Sequence, residues 1–168
     1  GLEGQVWNLE IIDNTLFCAH NLGIFQVKES KVSAIFKGSG AWKFSSNFND
    51  QIMVGTYNGL HILSKKKGDW KYSHQISGFD ISSMFFEQTS NNSALVSHGY
   101  KGVFSLEFDN KLKSVTKIVT LPIGKGPSSL ESISGSTYYF NTNGFYEFNT
   151  KINEFEINQK ITNIINLS

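Results

Sequence analysis

Four stretches of the chain repeat one short pattern around a glycine, and this repetition constrains the fold more than any other feature. Its clearest copy is Asn141-Thr142-Asn143-Gly144-Phe145-Tyr146-Glu147-Phe148. Gly23 heads Ile24-Phe25-Gln26-Val27, Gly59 heads Leu60-His61-Ile62-Leu63, and Gly102 heads Val103-Phe104-Ser105-Leu106. Each time an apolar residue follows the glycine, then an aromatic or histidine (Phe25, His61, Phe104, Tyr146), then another apolar residue two further on. That is the alternation of a strand entered from a tight hairpin, where Gly and Asn supply positive φ at little cost. The four glycines lie 36, 43 and 42 residues apart. A period of roughly 40 to 45 residues holding four short strands is that of a β-propeller blade.

The remaining strands fall into place around the hairpins. Val6 to Ile12 alternates, with Trp7, Leu9 and Ile11 expected on one face, and Asp13-Asn14 closes it as a turn. Ala41-Trp42-Lys43-Phe44 restarts the pattern with Trp42 at the place of Trp7, and Asn47-Phe48-Asn49-Asp50 reads as its turn. The expected fold is all-β, built of four-stranded antiparallel blades over 5–40, 41–79, 80–126 and 127–159, in one propeller segment. Lys160-Ile161-Thr162-Asn163-Ile164-Ile165 has the polarity and offset of a further innermost strand, so 160–166 is expected to open a fifth blade of a partial or open propeller. Gly1-Leu2-Glu3-Gly4 has no Met and reads as a processed or excised start. An open ring leaves unpaired edge strands, and a homodimer through the propeller edges is the expected remedy.

Charge narrows the partners. The net charge is +1 and all 15 basic residues are lysine, so the guanidinium fork that reads phosphate is absent and nucleic acid is not an expected partner. Lys65-Lys66-Lys67 precedes Gly68-Asp69 and reads as a solvated turn. Cys18 is alone, which leaves no intrachain disulfide. No run of 18 apolar residues occurs, and no direct membrane contact is expected of this segment.

Catalytic chemistry finds little support. His20 and His98 both end a second strand, but no His-x-x-x-His or paired-Cys spacing exists, so no metal and no cofactor is expected. Cys18 and His20 share a strand face without an orienting third group. Glu10, Glu29, Glu87, Glu107 and Glu131 stand singly, and no catalytic pair can be assigned. The chain reads as non-enzymatic. Binding fares better, because second-to-third-strand hairpins and blade-to-blade loops share one face of a propeller. Trp7, His20, Asn21, Trp42, Tyr57, Asn58, His98, Tyr100 and Asn143 are the expected ligand-binding residues. Aromatic faces beside amide and imidazole groups suit a sugar, whose ring stacks while its hydroxyls find hydrogen bonds.

The Trp-bearing first strand, the Asp/Asn turn, and the second strand ending in Asn-Gly-Leu/Phe resemble the two-component regulator propeller repeat. The motif stands as Val6-Trp7-Asn8-Leu9, Asp13-Asn14-Thr15-Leu16-Phe17 and Asn21-Leu22-Gly23-Ile24-Phe25, and again from Trp42 through Gly55-Thr56-Tyr57-Asn58-Gly59-Leu60. Ser82 and Ser129 depart from it, standing where Trp would sit. The resemblance implies a periplasmic sensor region of a hybrid two-component or LuxR-type regulator, with an oligosaccharide as the expected ligand. Two other readings stand beside it: a fragment of a propeller enzyme, such as a lyase or glycan hydrolase, and a protein-interaction scaffold.

Overall fold

The structure, a computed structural model, describes residues 3–48 and 50–166. Gly1, Leu2 and the Asn49 of the expected turn lie outside the described residues. The described residues form four sheets, each of four antiparallel strands joined in sequence order. The first holds β1 (Val6–Ile12), β2 (Thr15–His20), β3 (Gly23–Lys28) and β4 (Lys31–Phe36). The second holds β5 (Ala41–Phe48), β6 (Gln51–Thr56), β7 (Gly59–Lys66) and β8 (Asp69–Gln75). The third holds β9 (Phe85–Ser90), β10 (Ser93–His98), β11 (Gly102–Phe108) and β12 (Val115–Leu121). The fourth holds β13 (Ser128–Ile133), β14 (Ser136–Asn141), β15 (Gly144–Asn149) and β16 (Glu154–Ile157). These are four propeller blades, as the hairpin repeat predicts.

The repeated glycine works differently from a simple turn residue. At Asp13-Asn14 and Glu29-Ser30 both turn residues take positive φ, the type I′ geometry that suits strand twist. At the glycine hairpins the two turn residues keep ordinary φ, and the glycine opening the next strand is the one at +141° (Gly23) and +110° (Gly59). Contact adds a second demand: a Cβ at Gly23 would lie 2.0 Å from the Phe36 carbonyl oxygen, and one at Gly59 would lie 2.3 Å from that of Phe79. The hairpin glycine therefore lets the chain leaving its blade pass against it.

The fold divides into two compact units, 1–84 with 109–115, and 85–108 with 116–168. In the first, sheet one packs on sheet two through Phe17, Ala19 and Ile24 against Ala41, Phe44, Ile52, Val54, Leu63 and Trp70. Phe17 is the pivot, with ring centroids 5.6 Å from Phe44 and 5.8 Å, edge-on, from Trp70. Burying one such side chain contributes about 1.5–3 kcal/mol. In the second, Leu95, Val103 and Leu121 of sheet three meet Leu130, Tyr139 and Phe148 of sheet four.

Two expectations are corrected. A register shift between Val6 and Asn8 places a bulge at Trp7, so Trp7 no longer shares a face with Leu9 and Ile11. One extra residue inverts the alternation: the Trp7 ring meets Trp42, while Leu9 and Ile11 pair with Cys18 and Leu16 on the face turned from sheet two. The second correction concerns 160–166, which is no strand. It belongs to helix α1 (Gln159–Asn166). The spacing of Ile161, Ile164 and Ile165 suits a helix as well as a strand, and the caps decide. Asn158 Oδ1 accepts the Ile161 N–H at 3.2 Å, an N-cap bond, and Gln159 bonds Asn163 one turn on at 2.7 Å. Buried Thr162 then ties α1 to sheet four, its hydroxyl accepting the Phe145 N–H at 3.0 Å. In the third sheet the first strand, β9, opens at Phe85.

Candidate functional site

The bulges that displace Trp7 and Trp42 from strict alternation build the candidate site. Val6 pairs with His20 and Ala41 with Thr56, and in both sheets the register shifts across the following tryptophan. The freed indoles meet Tyr57 of the β6–β7 hairpin. Ring centroids lie 5.0 Å apart for Trp7 and Trp42 and 4.5 Å apart for Trp42 and Tyr57. Trp7 Nε1 donates to the Tyr57 hydroxyl at 2.9 Å, and Trp42 Nε1 donates to Ser82 Oγ at 3.0 Å. Gly40 makes room, because a Cβ there would sit 2.5 Å from the Tyr57 ring. Trp7 and Tyr57 remain 41% and 38% exposed, so the cluster is an aromatic platform at the surface of the first unit.

The other expected residues of this unit serve the backbone. His20 is fully buried, edge-on to Phe25 at 5.4 Å, and its Nδ1 accepts the Leu22 N–H at 3.0 Å. Asn21 Oδ1 accepts the Gln5 N–H at 3.0 Å. Asn58 Oδ1 accepts from Thr56 Oγ1 at 2.9 Å and lies 3.2 Å from His61 Nε2, fixing the hairpin. His61 is buried against Phe36 and Tyr72. Burial, helped by nearby His74, lowers its pKa to about 4, so the imidazole is neutral at physiological pH.

In the second unit, His98 Nδ1 accepts the backbone N–H groups of Tyr100 and Lys101, both at 3.3 Å. Tyr100 stands out from that hairpin at 89% exposure. Asn143 donates its backbone N–H to Asn141 Oδ1 at 2.8 Å. A concavity beside this last hairpin was not foreseen from sequence. Among the described residues no three His, Cys, Asp or Glu side chains converge as metal ligands. No helix among them is long and apolar enough to cross a membrane.

Four antiparallel four-stranded blades define a segment of a β-propeller. No protein-family model matches the sequence, and no curated protein matches it significantly. Among solved structures the chain is similar to the extracellular domain of a one-component system from B. thetaiotaomicron, with 13% identity and a TM-score of 0.69 over 94% of this chain and 22% of that one. It is similar to the extracellular domain of a hybrid two-component system from the same organism, with 13% identity and a TM-score of 0.68 over 90% of this chain and 23% of that one. A 6-phosphogluconolactonase from Bacteroides fragilis is also similar, with 9% identity and a TM-score of 0.59 over 93% of this chain and 54% of that one. The chain thus spans about a fifth of the length of the two regulator domains, and the likeness is one of fold.

Proposed function

We propose that the chain is a non-catalytic, ligand-binding propeller segment of a bacterial signal-transduction regulator, held outside the cytoplasm, and that Trp7, Trp42 and Tyr57 offer an oligosaccharide its stacking surface. The observation that carries this reading is the platform itself: three rings in contact, two of them more than a third exposed. Large exposed rings cost solvation unless something covers them, and a sugar ring stacks on such a surface while its hydroxyls stay wet. The Tyr57 hydroxyl, which accepts from Trp7, keeps its own proton to donate. Likeness in fold to extracellular regulator domains supports the signalling role. Likeness to a lactonase adds no catalytic reading, because chemistry on a propeller comes from its site residues and not from its blades.

The test is a titration of neutral oligosaccharides followed by tryptophan fluorescence. A saturable change for at least one glycan, abolished in Trp7→Ala and Tyr57→Ala, is expected. Binding untouched by either substitution would remove the platform from the function, and turnover of any glycan would overturn the non-enzymatic reading.

A further inference from the structure

In the first unit the tryptophan is the extra, unpaired residue of a bulge, and the first strand of the fourth blade has no such residue, Ser129 standing at the register place of Asn8 and Lys43. Val6 pairs with His20, Ala41 with Thr56 and Ser128 with Asn141, each partner lying three residues before its hairpin glycine. The next residue is Trp7, Trp42 and Ser129 respectively. Around the tryptophans the register shifts. Around Ser129 it runs on unbroken, Ser129 pairing with Phe140.

Beside Ser129 lies a concavity of about 440 Å³, within the range of small-ligand sites. Phe140 forms one side, 48% exposed and stacked on Phe145 at 6.5 Å. Ser129, Asn141, Thr142 and Thr162 form the rest, with Gly144 at the floor of the hairpin. Thr162 is already bonded to Phe145 on both sides of its hydroxyl. Asn141 spends its Oδ1 on Asn143, and among the described residues its Nδ2 has no partner. The hydroxyls of Ser129 and Thr142 are equally free there. No lining side chain carries a charge.

We infer that this concavity is a second binding site, for one neutral sugar ring. The ring face stacks on Phe140, and the hydroxyls accept from Asn141 Nδ2 and exchange hydrogen bonds with Ser129 and Thr142. An uncharged wall selects against anionic ligands, since a carboxylate or phosphate would lose its hydration without a countercharge. A purely apolar ligand would strand one amide and two hydroxyls. The site lies wholly in the second unit and does not rest on the aromatic platform of the first.

Amide NMR on the whole chain separates the two sites, because all three tryptophans, at 7, 42 and 70, belong to the first unit. The probes are glucose, galactose, mannose, xylose and N-acetylglucosamine. At least one is expected to shift the Asn141 side-chain amide and the Gly144 N–H saturably, whatever happens at the indole N–H signals. Asn141→Asp keeps the oxygen that caps Asn143 and removes the donor, so affinity should fall about tenfold. Phe140→Ala should abolish the shifts, and Ser129→Trp should place an indole in the concavity, abolishing binding with the melting temperature kept. No shift at Asn141 and Gly144 with any of the sugars would overturn the inference, as would shifts that survive in folded Ser129→Trp protein.

Discussion

Trp7 and Tyr57, fifty residues apart, are joined by an indole N–H donated to a phenol oxygen at 2.9 Å. The bond ties the first strand of one blade to the hairpin of the next, at the surface where both rings remain accessible.

Tyr57→Phe removes the hydroxyl and keeps its ring, and is expected to cost about 0.5–1.5 kcal/mol. Trp7→Phe removes the indole N–H together with part of the aromatic surface that meets Trp42, and should cost more. The double variant should cost less than the sum of the two, because the second change removes a bond already lost. Chemical denaturation of the four proteins measures the coupling, and strict additivity would show that the bond contributes nothing.

Two glycines at positive φ should respond very differently to a methyl group. Gly68, at +88° with nothing within 4 Å of its absent Cβ, carries conformational strain alone, and Gly68→Ala should cost about 1–2 kcal/mol. Gly59→Ala adds a collision with the Phe79 carbonyl, and upward of about 3 kcal/mol is expected. Equal losses would mean that the backbone leaving the second blade moves freely.

His61 should make the first unit acid-sensitive. Its folded pKa of about 4 lies below the ordinary 6.5, so the unfolded chain takes up the proton first. The stabilisation is full above pH 6.5 and is lost as pH falls from there through about 4. Phe25 and Phe104 fill the same place in other blades, which makes His61→Phe a fitting replacement. Melting temperatures should fall less steeply with acid in His61→Phe than in the parent, and parallel curves would remove His61 as the cause.

Leu9 and Ile11 are 60% and 73% exposed on the face of the first sheet turned from the second. Their counterpart Phe44, two residues after Trp42 as Leu9 is after Trp7, is buried at 3%. Replacing both by threonine should leave stability within about 0.5 kcal/mol and should reduce concentration-dependent association in sedimentation velocity, since adjoining exposed apolar side chains favour self-contact. Unchanged association would place the contact elsewhere on the chain.

Blade number, hairpin positions and the all-β class were legible because they are local. The glycine, its turn and the alternation after it lie within about eight residues, and hairpin geometry depends on little else. Ile161, Ile164 and Ile165 suit strand and helix alike, and the Asn158 cap that decides between them is a feature of the structure. The nine expected site residues were placed on one face of the repeat, but a place on that face does not settle burial. His20 and Tyr57 both flank a hairpin glycine, and one is fully buried while the other is 38% exposed.

By itself, then, the sequence determined the repeating unit, because φ restrictions and period-two burial act between near neighbours. Only the tertiary structure decided which side chains meet. Bulges at Trp7 and Trp42 turn the indoles onto Tyr57, and the register at Ser129 runs unbroken beside a concavity. A one-residue shift between paired strands sends a side chain to the opposite face of the sheet, and that shift is fixed by packing across the blade, beyond the reach of any short stretch of chain.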